Sequence, residues 1–115
     1  ALINTVQAMA IDVKKRAPRI AAGIGGLSGP AVRPIAVRMV WEVYNNVGIP
    51  IIGMGGIMDT ESALEFFIAG ATAVSVGTAN FIEPGIAGSI ATGIRGYLKA
   101  HNMSNMRELT GSLLI

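Results

Sequence analysis

An α/β fold, with parallel strands covered by helices as in the C-terminal part of a TIM (β/α)8 barrel, is what three features of this chain predict. Two short apolar runs end in glycine, Ile49-Pro50-Ile51-Ile52-Gly53-Met54-Gly55-Gly56-Ile57 and Ala73-Val74-Ser75-Val76-Gly77-Thr78, and a helix-like stretch follows each. Glycine is needed where an anion approaches the main chain closely, and the loops after the last two strands of such barrels commonly hold phosphate on backbone N–H groups. Gly55 and Gly77 lie 22 residues apart, room for one loop, one short helix and one strand. The chain is also 51% hydrophobic and only 14% charged, with a mean hydropathy of +0.55, against about 25% charged in a typical domain. Its 115 residues fall short of the roughly 250 of a closed barrel. A single partial domain over residues 1–115 is therefore expected, with a complete small α/β protein as the alternative. A doubly wound open sheet shares the same alternation but would carry G-x-G-x-x-G after one strand, a spacing that Gly53-Met54-Gly55-Gly56 lacks. The two turns point to a ligand bearing a nucleotide or sugar phosphate.

Ala1 to Thr5 reads as the end of a buried strand whose beginning is missing. Residues 6–30 form an irregular insertion: Val6 to Val13 and Arg19 to Ala22 pair as a hairpin across Lys15-Arg16-Ala17-Pro18, followed by a loop from Gly23 to Pro30. A helix is predicted from Ala31 to Asn46, because Val32, Ile35, Ala36, Met39, Val40 and Val43 form one apolar stripe at helical period. Pro34 is tolerated in its first turn, and Asn45, Asn46 and Gly48 stop it. Val47 to Met54 is a strand apolar on both faces, as parallel strands between helices must be. The next helix opens after Asp59 as N-cap, with Glu61 in its first turn, buries Ala63, Leu64, Phe67 and Ile68, and closes at Gly70. A strand from Ala71 to Val76 precedes a helix from Pro84 to Ala100, with Ile86, Ile90, Ile94, Tyr97 and Leu98 in register. Gly85, Gly88, Gly93 and Gly96 weaken that helix by roughly 1 kcal/mol for each interior glycine, which close packing would explain. A short last helix runs from Ser104 towards Leu109. Three strands cannot close a barrel, so both edges of this sheet are left bare and invite association.

The net charge of +2 is concentrated in Lys14-Lys15-Arg16-Ala17-Pro18-Arg19, with no aromatic residue interleaved to stack on bases, which argues against a nucleic-acid partner. A solvated hairpin explains that run; a docking patch for a partner subunit is the alternative. The absence of cysteine excludes a disulfide framework, a thiolate metal site and a cysteine nucleophile within these residues, and fits a cytoplasmic location. No signal peptide and no membrane span are expected.

Ile3-Asn4-Thr5, Gly25-Gly26-Leu27-Ser28-Gly29-Pro30-Ala31, the run Ile49 to Ile57 and Val76-Gly77-Thr78-Ala79 occur in an order and spacing that resembles the C-terminal part of the dihydroorotate dehydrogenase family. The resemblance spans nearly the whole chain and is closest to the catalytic subunits of the NAD-linked class. The pyrimidine-reducing domain of dihydropyrimidine dehydrogenase is the nearest competitor, and a phosphosugar isomerase or synthase barrel, or a half-barrel without ligand, are the more distant readings. What the resemblance implies is an FMN flavoprotein oxidoreductase that converts (S)-dihydroorotate to orotate in pyrimidine biosynthesis. It further implies NAD+ as final acceptor through an electron-transfer subunit carrying FAD and an iron–sulfur cluster, and a homodimer of catalytic subunits within a heterotetramer.

Residue by residue, the resemblance assigns Gly55, Gly56, Gly77 and Thr78 to the FMN phosphate turns, Gly29 and Ile3 to further FMN contacts, and Asn4 and Thr5 to the substrate. It implies a cysteine base and a flavin-proximal lysine earlier in the barrel, which nothing here matches, so no catalytic residue is expected in this stretch and the chain alone should be inactive. Other polar candidates have plainer readings: Asn4 as the cap of a strand end, Ser28 as a turn residue and His101 as a surface residue. Trp41 and Tyr44 read as packing or interface residues, and the six methionines as core filler.

Overall fold

The computed structural model describes all 115 residues. Leu2 N–H donates to the Ile52 carbonyl and Ile3 N–H to the Met54 carbonyl, both at 2.9 Å, so the first residues run parallel to strand β5, Ile52–Met54. Strand β6, Ala73–Ser75, lies parallel on the other side of β5 in the register Ile52↔Ala73, Gly53↔Val74, Met54↔Ser75. Three parallel segments thus stand side by side in chain order, the arrangement of consecutive βα units.

Between the first segment and its helix lies a ribbon of four short strands: β1 (Val6–Ala8), β2 (Ile11–Asp12), β3 (Ala17–Pro18) and β4 (Gly25–Leu27). β1 pairs antiparallel with β4 and β2 with β3. The expected hairpin is present, but with different strands. Its tip is the turn Val13–Arg16, where Asp12 Oδ1 accepts the N–H groups of Lys14 and Lys15 at 3.0 and 3.1 Å. Arg19 to Ala22 is not a strand, and Gly25–Leu27, expected as loop, is the fourth strand, because two glycines let the backbone of this segment lie against side chains. A Cβ on Gly26 would run into the Thr5 side chain, and one on Gly25 would stand 2.7 Å from Ile20 Cδ1.

Helix α1 spans Arg33–Tyr44 behind a 3₁₀ turn at Pro30–Val32, and buries Ala36 and Val40. Ile35 and Met39 of the expected stripe stay outside the core: Ile35 is exposed and Met39 half-buried. At its end the amides of Asn45 and Asn46 donate to the carbonyls of Trp41 and Glu42. The strand expected from Val47 begins only at Ile52, since Pro50 has no N–H and the Ile51 carbonyl already accepts from Thr72 and Ala73. It is also covered on one face alone. Gly53 is buried against the Phe66 ring of helix α2 (Thr60–Ala69), while Ile52, Ala73 and Ser75 are exposed on the opposite face.

Helix α2 is the best-anchored element. Asp59 Oδ1 accepts from Ser62 N–H at 2.7 Å while Ser62 Oγ accepts from Asp59 N–H at 3.0 Å, a reciprocal cap, and Gly70 ends the helix at φ 121°. Ser62 holds the Asp59 carboxyl below the usual carboxylate range, and the nearby Arg33 charge adds to this. Phe66, outside the expected buried set, is fully buried, whereas Ile68 is half-buried. Helix α3, Ile86–Ala100, buries Ile86 and Ile90. Of its glycines only Gly93 is explained by packing, against Thr60; Gly85, Gly88 and Gly96 face open space. The last helix is a single 3₁₀ turn, Met106–Glu108, that places Leu109 in contact with Leu64 and Phe67.

The main core joins Ala36 and Val40 of α1, Ala63, Phe66 and Ala69 of α2 and Ile86 and Ile90 of α3 with Ile51, Ile57 and Ala79. None of the methionines is buried, and Met9 is exposed, so they border the core and do not fill it. The accessible surface is 7599 Å², against roughly 6,000 Å² for a compact monomer of this mass. The open inner face of the strands and the ribbon account for that excess, which leaves the sheet edge available to further strands. No helix is long and apolar enough to cross a membrane.

Candidate functional site

A cleft open to solvent forms where the N-terminal segment, the Ser28–Gly29 turn, the loop after β5 and the loop after β6 converge. All eight residues singled out from the sequence, Ile3, Asn4, Thr5, Gly29, Gly55, Gly56, Gly77 and Thr78, line it. They come from separated stretches of chain, brought together by the parallel register of the strands that carry them.

The glycines serve the cleft in two different ways. Gly56 has φ 74°, and a Cβ there would lie 2.5 Å from the Gly29 carbonyl oxygen and 2.9 Å from Arg33 Cβ. Gly55 has φ 127°, and its Cβ would meet Ala36 and Ile3. These two positions are fixed by backbone conformation and by close packing on the start of α1. Gly77, at φ −103°, lies outside the left-handed region, and a Cβ there would meet no atom within 4 Å, so its bare face leaves room in the cleft. The N–H groups of Gly56 and Gly77 make none of the chain's turn, loop or cap hydrogen bonds, whereas the β5–β6 pairing directs the Gly55 N–H at the Ser75 carbonyl. Two donors thus remain at turns that line the cleft, which suits an anion.

The loop after β6 is held by Asn80, whose amide donates to the Val76 and Gly77 carbonyls at 2.6 and 3.1 Å. Asn80 escapes the sequence motifs; an Asn three residues after the glycine is the signal that marks it. The Thr78 and Ser28 hydroxyls share a hydrogen bond at 3.0 Å. At the far end the Asn4 side-chain oxygen accepts Thr5 N–H at 2.8 Å. That bond fixes which end of the amide is free: its NH₂ donors have no partner in the chain. The plain reading of Asn4 as a strand-end cap and this one are compatible, since the cap uses only the oxygen. Of the other polar candidates, His101 is exposed, stacks on Tyr97 at 3.9 Å between ring centroids and lies outside the cleft. Tyr44 packs over Gly70 and Gly111 as a structural residue.

The profile of the dihydroorotate dehydrogenase family matches residues 1–98. The chain belongs to that family. Among curated members, the dihydroorotate dehydrogenase B (NAD(+)) catalytic subunit of Geotalea daltonii is 56% identical over 114 residues, 99% of this chain and 37% of that protein. Its counterpart in Caldicellulosiruptor bescii is 57% identical over 114 residues, 99% of this chain and 38% of that protein. The one in Geobacter sulfurreducens is 57% identical over 112 residues, 97% of this chain and 37% of that protein. The chain thus spans little more than a third of the length of these dihydroorotate dehydrogenases, and the resemblance drawn from its glycine turns and its Ile3-Asn4-Thr5 stretch is borne out at the level of the family.

Proposed function

We propose that these residues are the phosphate-binding and ring-reading part of an FMN-dependent dihydroorotate dehydrogenase of the NAD-linked class, and that they form the C-terminal portion of its (β/α)8 barrel. The observation that carries this reading is the cleft with two free backbone N–H groups, at Gly56 and Gly77, beside an exposed Asn-Thr pair. FMN fits the donor set: a phosphate dianion takes N–H donors, and no atom of the chain lies within 4 Å of where a Cβ on Gly77 would stand. Gly55, Gly56, Gly77 and Thr78 would hold the phosphate, with Gly29 and the Ile3 backbone flanking the rest of the cofactor. When bound, FMN supplies the hydride acceptor for oxidation of (S)-dihydroorotate to orotate.

What the chain's own residues contribute is position. Asn4, its oxygen tied to Thr5 N–H, presents two N–H donors to carboxylate or ring carbonyl oxygens of a planar pyrimidine. Thr5 lies against the bare face of Gly26, which locks the Asn4-Thr5 stretch to the ribbon. No group in the cleft is a base suited to removing a carbon-bound proton, so that role belongs to residues elsewhere in the full-length subunit. The relatives are named as catalytic subunits, and on this reading the electrons leave through an electron-transfer subunit with FAD and an iron–sulfur cluster, the catalytic subunits pairing within a heterotetramer in the cytoplasm.

The test is the flavin content and turnover of the full-length protein that carries these residues. Heat-released flavin identified as FMN, with dihydroorotate oxidation coupled to NAD+ in the presence of the second subunit, is expected; the absence of flavin, or FAD alone, contradicts the proposal. The 115-residue chain by itself is expected to oxidise no dihydroorotate.

A further inference from the structure

Ser28 joins β4 to the turn at Gly29 and lines the cleft together with Thr78. Its backbone is held in place: Gly29 is buried at φ 80°, and the Gly29 carbonyl accepts Val32 N–H. A serine hydroxyl offers one proton and two lone pairs. Thr78 Oγ1, 50 residues away in sequence, stands 3.0 Å from Ser28 Oγ, so the two hydroxyls share one hydrogen bond. That bond uses one of their two protons, and the other has no acceptor in the chain. Both residues line the cleft, so the free proton is available to a ligand there.

Resting on the reading of the cleft as a phosphate site, we propose that Ser28 is a further phosphate-binding residue. Its hydroxyl donates to an oxygen of a phosphate monoester, and Thr78 aims that donor. The Ser28 and Thr78 hydroxyls line the same cleft as Gly56 and Gly77, whose N–H groups are left over. This makes the serine a determinant of preference for a phosphorylated ligand over the same ligand without its phosphate.

The experiment compares FMN and riboflavin binding to the flavin-stripped full-length protein, wild type, Ser28→Ala and Ser28→Thr, by flavin fluorescence quenching. Loss of one hydrogen bond to a charged group predicts a rise of about tenfold in the FMN dissociation constant for Ser28→Ala. Riboflavin affinity is expected to stay unchanged, and Ser28→Thr to restore FMN binding. Wild-type preference for FMN that survives in Ser28→Ala overturns the role of Ser28 and leaves the phosphate cleft standing. Equal weakening of FMN and riboflavin overturns it as well, since a merely structural serine would act on both. Wild-type protein that binds FMN no more tightly than riboflavin overturns the phosphate cleft and the serine's role together.

Discussion

The ribbon of residues 6–27 and the helix-covered segments of residues 33–100 are held by opposite means. No residue of the ribbon is buried; its strands are two or three residues long and it displays Met9, Ile11, Val13, Ile20 and Ile24 to solvent. The helix-covered segments bury Phe66, Val40 and Ala63 completely and secure their turns with specific contacts, such as the Asp59–Ser62 cap or the Asn80 amide. The cleft lies at the seam: its rigid wall comes from the second region, while Ser28 and the Thr5–Gly26 contact come from the edge of the first. Burial thus supplies stability on one side, and local geometry at the seam shapes the cleft.

The sharpest way to break this contrast is in the core. Phe66→Ala is expected to cost about 3–5 kcal/mol through the cavity it leaves, whereas Val13→Ala, at a side chain 81% exposed in the ribbon, is expected to stay within about 0.5 kcal/mol. Denaturant midpoints of the full-length protein measure both. Within the cleft the same logic separates two glycines. Gly56→Ala forces a left-handed conformation on alanine and drives a Cβ into the Gly29 carbonyl, so stability falls by about 1–2 kcal/mol or more and FMN binding falls with it. Gly77→Ala meets no atom of the chain; the fold is expected to keep its stability, while FMN affinity drops by about tenfold, roughly 1.4 kcal/mol, as the new methyl takes up ligand space. Parallel thermal melts and FMN titrations separate the two outcomes.

A smaller effect is expected at the helix cap. Asp59→Ala should cost about 1 kcal/mol, and the cost should depend on pH. The Asp59 carboxyl titrates below its ordinary value in the folded chain because Ser62 hydrogen bonds favour the ionised form. Its contribution is therefore complete above the ordinary carboxylate value and is lost as pH falls through the lowered folded value. Wild type and Asp59→Ala should converge in acid when unfolding is followed against pH. The smallest effect belongs to the ribbon tip, where reversing Lys15 and Arg16 to glutamate is expected to change stability by less than about 0.5 kcal/mol.

The same contrast explains how much is legible in the sequence. Helices α1, α2 and α3 are readable from apolar periodicity and from Asp59, Pro34 and Gly70, because each buries one face and its signals repeat along several turns. The turns at Gly55-Gly56 and Gly77-Thr78 are readable because glycine follows two successive strands, while Ile3, Asn4, Thr5 and Gly29 are readable only through the family resemblance. The pairing of the ribbon is not, since a partner segment as short as Gly25–Leu27 carries no period and its pairing with Val6–Ala8 depends on contacts such as Thr5 on Gly26. Strand β5 is shorter than its apolar run suggests for a related reason. Apolar residues from Val47 onward look like a strand buried on both faces, but Ile52 is exposed, because the inner face of the sheet is open in these 115 residues. Ser28 reads as a turn residue, which it is; only the position of Thr78 beside it reveals the free proton.

The central claim is that the loops after β5 and β6 form one phosphate nest, and the most direct test is a crystal structure of the full-length protein with FMN. Phosphate oxygens are predicted within about 3 Å of the N–H groups of Gly56 and Gly77. FMN bound with its phosphate elsewhere, and those two N–H groups facing only water, would contradict it.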